Sequence, residues 1–557
     1  MTAFFLNRSL KRTLQIAVCG LTVSFGMSLQ ESYAQVAEAS AGMRLRPVPK
    51  RVPDLYEPVW VAPAPGNEAT LIRRKNGGLT IFYINRPGDA NQLRSISSPD
   101  GIQWESPVKE FDLPGQAYYA NRVLEDPQGE LHGIFHLWGT GTNGYRGRHL
   151  DVWYGRTTGT GKPWSQPQKI YDGYVGSIRS FIRLSTGRLL VSFAKAVPER
   201  QEKPGAGQLD YGWNDIISLY SDDNGQTWQP SANPIRVEID NTMPVRYGGI
   251  EPDVVELTDG RLWMLIRTNK GHLYESFSGD QGQTWQAARP TRFISSDSPA
   301  ELLRLSDRRL VLLLNSNQRW DNPRSYAAGG REMLHAAISH DEGKTWQGFR
   351  EVLTMPAAKP GRVEKNDRGT AYASAAETAE GKVALVAGQG DAKSVVLFDP
   401  DWLEQTEARE EGKTALISTT ERPALVWNFP ATRQGTLKAD LKFSPDAQTV
   451  SLALTDHFSV PDDSLAADHA VAEFKIKSAE LAKIGAKPSR MMVEIRWNCQ
   501  KDEALLLLNN RIVARTNFCR QSDFGMNYLR IRTSDQRGKP VGVSLHSVAM
   551  TRTKKTN

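Results

Sequence analysis

The stretch that decides the fold runs from residue 248 to residue 285 and reads GGIEPDVVELTDGRLWMLIRTNKGHLYESFSGDQGQTW. Two apolar runs, 254–257 and 262–266, flank the turn Thr258-Asp259-Gly260, which predicts a β-hairpin. A third apolar run leads into an S-x-D-x-G-x-T-W motif that ends at Trp285. Ser and Asp side chains can bind the backbone of a tight turn, Gly supplies a positive φ, and Trp fills the apolar gap beneath.

The same turn motif, the Asp-box, recurs along the chain. Residues 221–228 and 339–346 match it in full, and residues 97–104 form a degenerate copy with the Asp moved one place. The three full copies begin at Ser221, Ser278 and Ser339, and the gap before the first is about two periods long. A repeat of this length indicates a propeller or an array of small sheets.

A second marker counts the repeats. Each unit should contain a tight turn followed by Leu or Val, where the innermost strand gives way to the next. Such turns occur at Gly77, Gly129, Gly187, Gly260, Arg308 and Gly381. The sequence therefore predicts an all-β fold, with a six-bladed β-propeller over residues 59–403. The starts of its innermost strands should line a central depression.

Composition bounds the rest of the chain. With 557 residues, 39% hydrophobic and 24% charged, two or more soluble domains are expected. The net charge of +7 is scattered, which argues against nucleic-acid binding and suits an anionic substrate. Residues 1–34 are typical of a signal peptide, and residues 35–58 of a linker. The mature protein should therefore be secreted or periplasmic, without stable membrane insertion.

Residues 404–422 are charged and are predicted to be a second linker. Residues 423–557 alternate in hydrophobicity over several short runs, which predicts an antiparallel β-sandwich of the jelly-roll, concanavalin-like type. A structural role is favoured there over carbohydrate binding. Cys499 and Cys519 either pair or form two buried thiols. The nine histidines show no metal-ligand spacing, so no metal or cofactor is expected.

Six blades, three full Asp-boxes and a signal peptide together resemble the sialidase superfamily, in particular secreted bacterial BNR-repeat proteins. The resemblance assigns the box residues Asp223, Asp280 and Asp341 to structure. It assigns chemistry to four residues that match the positions at which the family carries a general base, two carboxylate-binding arginines and a nucleophile, namely Glu251, Arg267, Arg331 and Tyr372.

Register supports this assignment, because Tyr372 and Glu251 stand at the same distance before the turn glycines Gly381 and Gly260. A neutral Tyr avoids repulsion from a substrate carboxylate. Its ordinary pKa of about 10 requires a neighbouring base, and arginines bind the carboxylate in bidentate fashion. Sialidases with a Tyr nucleophile depart in this way from the usual carboxylate pair. The resemblance also makes Asp89 the general acid.

The first blade departs from the family pattern. Sialidases open it with Arg-Ile-Pro, whereas this chain reads Asn67-Glu68-Ala69-Thr70, with Glu68 at the position equivalent to Glu251. Either Arg179 compensates, or the substrate is not sialic acid and Glu68 acts as the acid or binds sugar hydroxyls.

Three functions follow. The first is an exo-acting glycoside hydrolase of a terminal acidic sugar, with exo-α-sialidase as the closest named activity. The second is a polysaccharide lyase or hydrolase of another uronic sugar, and the third a non-catalytic glycan-binding propeller.

Overall fold

The computed structural model describes residues 59–65, 69–84, 92–112, 116–139, 149–197, 209–210, 213–239, 245–321, 330–355, 369–418, 423–478 and 490–553. The predicted signal peptide and the linker at 35–58 lie outside the described residues. Within these ranges, no helix is both long and apolar enough to cross a bilayer.

Six four-stranded antiparallel sheets form the propeller. The first strand, β1 (Val59–Pro63), joins the last blade. Blade 1 contains β2 (Thr70–Arg73), β3 (Leu79–Ile84), β4 (Gln92–Ser98) and β5 (Val108–Asp112). Blade 2 contains β6 (Gln116–Glu125), β7 (Leu131–Gly139), β8 (His149–Thr157) and β9 (Gln168–Tyr171). Blade 3 contains β10 (Ser180–Arg183), β11 (Leu189–Val197), β13 (Trp213–Ser221) and β14 (Gln229–Pro230).

The second half of the ring repeats this order. A short parallel pair, β12 (Leu209–Asp210) and β15 (Val245–Arg246), precedes blade 4. Blade 4 contains β16 (Gly249–Glu256), β17 (Leu262–Thr268), β18 (His272–Ser278) and β19 (Arg289–Ile294). Blade 5 contains β20 (Glu301–Arg304), β21 (Leu310–Leu314), β23 (Met333–Ser339) and β24 (Gln347–Thr354). Blade 6 contains β25 (Ser374–Glu377), β26 (Val383–Ala387), β27 (Ser394–Phe398) and β1, with 3₁₀ turns at Gly390–Ala392 and Pro400–Glu404.

The all-β class and the six blades are as predicted, and their physical basis is visible in blade 4. All seven residues of β17 are buried, because this central strand packs against neighbouring blades on both faces. Strand β1 closes the ring by pairing with β27 of blade 6. Closure by the chain's own first strand removes one exposed sheet edge.

Polar side chains tie the innermost strands to one another around the axis. They stand two residues after the register position of Glu251, and among the described residues all but Ser180 of blade 3 bond the backbone of the next blade. Such bonds span five of the six junctions: Thr70 to Asn121, Arg122 to Arg179, Asp253 to Leu302, Glu301 to Ala375 and Ser374 to Leu71. Because these groups are buried, each bond avoids the cost of an unpaired polar atom.

The Asp-boxes fold as local turns at the other end of the blades. In blade 4, the Ser278 hydroxyl accepts from the Gly282 N–H at 2.8 Å, and the Asp280 carboxylate accepts from the Thr284 N–H at 2.9 Å and its hydroxyl at 2.6 Å. Trp285 is buried beneath the turn. In the degenerate copy, Asp100 accepts from two backbone N–H groups of its own turn.

The C-terminal region holds two sheets around one apolar core. The larger contains β28 (Glu407–Ile417), β38 (Val543–Arg552), β30 (Gln434–Phe443), β34 (Met491–Asn498), β35 (Glu503–Leu508) and β36 (Arg511–Asn517), in that order. The smaller contains β29 (Ala424–Thr432), β37 (Met526–Ser534), β31 (Thr449–Thr455) and β33 (Ala472–Lys477). The pair β22 (Asn317–Gln318) and β32 (Phe458–Ser459) joins this region to the propeller. Its lectin-like character stays a prediction.

Two sequence predictions need correction here. The linker predicted at 404–422 contains β28, an eleven-residue strand of which seven residues pair with β38 at the edge of the larger sheet. Charged side chains are common on such edge strands because they discourage further pairing, so the charge that suggested a linker marks a strand. The cysteines are both free, with Cys499 buried and Cys519 exposed, so neither predicted alternative is correct.

Candidate functional site

Glu251 and Tyr372 occupy equivalent and unusual backbone positions at the mouth of the propeller. Glu251 has a φ of 50° and lies in a bulge of β16, and Tyr372 has a φ of 63° just before β25. Positive φ is uncommon outside glycine and costs about 1–3 kcal/mol at such residues. Both side chains are 5% exposed. The bulge re-aims Glu251 toward the axis, where the two side chains meet.

Three side chains from two blades form a closed triangle. The Tyr372 hydroxyl donates to Glu251 Oε1 at 3.2 Å. Arg267 Nη1 donates to Glu251 Oε2 at 2.6 Å and to the Tyr372 hydroxyl oxygen at 3.0 Å. The tyrosine proton therefore faces a carboxylate while a guanidinium faces the tyrosine oxygen. This arrangement suits proton transfer to Glu251 and stabilisation of a phenolate.

Arg267 is held in place from its other side by Asp297, in the loop between β19 and β20. Its Nε donates to Asp297 Oδ1 at 2.7 Å, and the Tyr247 hydroxyl donates to the same oxygen. Burial works against the charge of Arg267, but the carboxylates of Asp297 and Glu251 outweigh it and hold its pKa well above the ordinary value. The Nη2 atom of Arg267 has no hydrogen-bond partner among the described residues.

Arg331 approaches the triangle from blade 5 and is also buried. Its guanidinium lies 5.2 Å from the centre of the Tyr372 ring and donates to the Asp297 carbonyl at 2.9 Å and to Gln389 Oε1 at 3.1 Å. Gly369, with a φ of 101°, permits this approach, because a Cβ there would lie within 2.5 Å of the Arg331 Cβ. Arg331 and Tyr372 are thereby brought together.

Arg179 reaches the same ring from blade 3. Its guanidinium lies 5.4 Å from the centre of the Tyr372 ring, donates to the Ala373 carbonyl, and contacts Glu301 at 3.4 Å. Its Nε and Nη1 atoms are buried without a partner in the described part of the chain. Unpaired buried donors favour an anionic or oxygen-rich ligand nearby.

Two further carboxylates lie on the axis next to the triangle. Burial, and then the charge of Glu301, raises the pKa of Asp253 well above its usual range. Burial likewise raises the pKa of Glu301, although Arg122 and Arg179 oppose the shift. Two buried acids that repel each other share a proton readily.

The predicted acid Asp89 and the unusual Glu68 lie outside the described residues. The structure brings the other five predicted site residues together around Tyr372. Sequence reasoning missed Tyr247, Asp297, Gln389, Asp253 and Glu301. Asp253 and Glu301 stand two residues after the register position of Glu251 in their blades, so the sequence register could have identified both. The others depend on loops and turns that carry no repeat signal.

One group of potential metal ligands lies elsewhere in blade 2. Asp126, Glu130 and His132 offer ligand atoms within 4.8 Å of one another. The three already have protein partners: Asp126 binds its own turn, Glu130 contacts Asn224 at 3.5 Å, and His132 Nδ1 lies 2.7 Å from the Tyr154 hydroxyl. Burial also lowers the pKa of His132, which leaves a neutral core imidazole.

A family model described as a BNR repeat-like domain matches residues 89–385, more than half of the chain. A protein of unknown function from Dyadobacter fermentans is 18% identical, with a TM-score of 0.43 over 62% of this chain and 98% of its own. Trypanosoma rangeli sialidase, in complex with the inhibitor DANA, is 12% identical, with a TM-score of 0.41 over 89% of this chain and 93% of its own.

The NanB sialidase of Streptococcus pneumoniae is 13% identical, with a TM-score of 0.39 over 63% of this chain and 71% of its own. No curated protein matches the chain. These likenesses do not bear on the chemistry of the mouth, which is argued from its own side chains.

Proposed function

We propose that this chain, which belongs to the BNR repeat-like domain family, is an exo-acting glycoside hydrolase that removes a terminal acidic sugar from glycans. The observation that carries the proposal is the triangle of Tyr372, Glu251 and Arg267. In nucleophilic displacement at a sugar carbon, Glu251 would take the proton of the Tyr372 hydroxyl, and Arg267 would stabilise the charge on the Tyr372 oxygen.

In the proposed mechanism, the Tyr372 oxygen attacks the anomeric carbon while Glu251 accepts its proton. Arg267 donates to the same oxygen and stabilises the negative charge that develops there. The leaving oxygen takes a proton from a general acid, for which Asp89 is the proposed residue. Water then displaces the tyrosine in a second step, and the anomeric configuration is retained.

Substrate charge follows from the surrounding arginines. The guanidinium groups of Arg179 and Arg331 lie 5.4 and 5.2 Å from the centre of the Tyr372 ring. The Nη2 atom of Arg267 has no hydrogen-bond partner among the described residues. Arg179 would therefore take the role of the arginine that the first blade lacks. A carboxylate on the substrate would accept hydrogen bonds from the unpartnered guanidinium atoms of Arg179 and Arg267. We also propose that residues 1–34 direct secretion of the protein.

Two assays separate the candidate activities. Release of a fluorophore from a 4-methylumbelliferyl sialoside measures hydrolysis, and absorbance of unsaturated products from polygalacturonate measures a lyase. We expect hydrolysis that is lost in Tyr372→Phe. Unsaturated products without fluorophore release would show that the protein is a lyase and not a hydrolase. Inactivity of the folded wild type in both assays, together with binding on a glycan array, would leave only the non-catalytic propeller.

A further inference from the structure

A cleft of about 400 Å³ lies where the propeller meets the C-terminal sheets. This volume is within the range of about 300–1,000 Å³ usual for small-molecule sites. Both regions of the chain contribute to its walls, which include Lys270, His272 and Arg292 from the propeller and His469, Phe524 and Asn527 from the C-terminal sheets. Neither region completes the cleft alone.

The walls of the cleft are fixed by contacts across the junction. The Trp320 ring, also in the wall, stacks on His469 with 3.8 Å between centroids and 5° between planes. Its Nε1 donates to His457 Nε2 at 3.0 Å. Strands β22 and β32 pair beside it. The cleft is therefore formed in advance of any ligand, which lowers the entropic cost of binding.

Two buried polar atoms in the wall are unused. Asn527 is 1% exposed, and its Nδ2 donates to the Phe349 carbonyl at 3.0 Å, but its Oδ1 has no partner within the described ranges. The buried Nδ1 of His272 also has none there. Burial lowers the pKa of His272, so its imidazole is neutral near pH 7. A hydroxyl both donates and accepts, so a polyol satisfies such a pair.

The charge of the cleft favours an acidic ligand. Its cations Lys270, Arg292 and Arg520 outnumber its carboxylates Asp456 and Asp523. Arg520 is already paired with Asp456. Lys270 forms no ion pair within the described part of the chain, and the Arg292 guanidinium lies 5.0 Å from the centre of the Phe524 ring. These two side chains supply the positive charge that a ligand would meet.

The cleft is a neighbour of the mouth. Ile294 lines the cleft, and Asp297, which binds Arg267 in the mouth, follows three residues later. Three residues span at most about 11 Å. The same loop is tied to the cleft hairpin, because the Ser295 N–H donates to the Gly271 carbonyl at 3.0 Å. The loop from Ile294 to Asp297 therefore connects the wall of the cleft with the mouth.

We infer that the cleft binds an inner acidic sugar unit of the glycan whose terminal unit occupies the mouth. The inference rests on the proposed function for the choice of ligand. It gives the C-terminal sheets a direct part in selecting longer acidic glycans over single sugars, since His469, Phe524 and Asn527 come from them.

The test uses the full-length chain carrying Tyr372→Phe, so that ligands are bound without turnover. Calorimetry compares free N-acetylneuraminic acid with its α2,8-linked tetramer, and galacturonic acid with its tetramer. We expect one tetramer to bind about tenfold more tightly than its monomer. Adding Lys270→Ala and Arg292→Ala should remove that gain and leave monomer binding within about twofold.

The matched control changes two exposed basic residues far from the cleft, Lys162→Ala and Arg511→Ala, and should leave both affinities unchanged. Lys270→Glu alone is a second variant, and its loss of tetramer affinity should exceed that of Lys270→Ala. Tetramer binding that is unchanged in the cleft variants, or absent in the parent, overturns the inference. Loss of tetramer affinity in the cleft variants of a chain whose wild type cleaves no acidic glycoside would support the cleft and refute the hydrolase.

Discussion

The two ends of the propeller both carry acidic side chains, but they use them differently. At the Asp-box end, Asp341 accepts from the Thr345 N–H at 2.8 Å and from two hydroxyls of its own turn. At the mouth, Glu251 and Asp297 bond groups from other strands and blades, and guanidinium nitrogens of Arg179 and Arg267 lack partners among the residues that the structure describes. Asp341 therefore stabilises its own turn, whereas Glu251 and Asp297 hold side chains from separate strands in one site.

The ionisation of these acids differs in the same way. Hydrogen bonds from Thr227 lower the pKa of Asp223 to about 2. Burial instead raises the pKa of Asp253 well above its usual range. Asp223 is thus stabilised as an anion, and Asp253 is not. Variants at the two ends should therefore have opposite effects on activity and stability.

The largest expected effect is on turnover at the mouth. Tyr372→Phe and Glu251→Gln should each lower kcat about 1,000-fold or more, because they remove the nucleophile and its base. Their melting temperatures should stay close to that of the wild type. Tyr220→Phe, which removes a hydroxyl bonded to Gln229 on an outer strand, is the control. More than a tenth of the wild-type rate in Tyr372→Phe would contradict the assignment.

The next largest effect is expected on KM, and it distinguishes Gly369 from Gly381, two glycines of blade 6. Gly369→Ala should raise KM about tenfold or more, because its Cβ would displace Arg331. Gly381, with a φ of 78°, has no atom within 4 Å of a built Cβ and lies at the opposite end of β25. Gly381→Ala should cost about 1 kcal/mol of stability and leave KM unchanged. Equal KM values for the two variants would remove the role given to Gly369.

A smaller effect is expected at the Asp-box end. Asp280→Ala removes the acceptor of two bonds from Thr284 and should lower the free energy of unfolding by about 1 kcal/mol. Urea unfolding measures this loss, and Asp446→Ala, at an exposed turn of the C-terminal region, is its control. Kinetic constants measured well below the melting temperature should not change. A loss of kcat without a loss of stability would place this turn in the mechanism.

The smallest effect is in the pH dependence of stability. The pKa of Asp253 is raised on folding, so its contribution to stability is greatest at acidic pH and falls as the pH rises toward the folded pKa. Asp253→Asn removes that dependence. Relative to wild type, the variant should therefore gain stability as the pH rises above about 4, the ordinary pKa of an aspartate. A constant difference in unfolding free energy over this range would mean that Asp253 titrates normally.

Sequence reasoning worked where structure repeats. The hairpin turns, five with glycine and one with Arg308, predicted the register of six blades, and through it the meeting of Glu251 and Tyr372. It could not find Asp297 or Gln389, because each lies in a connection whose path depends on packing between blades. It also took the charged strand β28 for a linker, since its pairing with β38 joins residues that are far apart in the chain.

The central claim, that Tyr372 is the nucleophile at the mouth, has one direct measurement. Incubation with a 2,3-difluoro analogue of sialic acid should trap the glycosyl-enzyme, and mass spectrometry of its peptides should place the added mass on Tyr372. The mass should be absent from Tyr372→Phe. An adduct on any other residue, or none in a wild type that cleaves sialosides, would contradict the account.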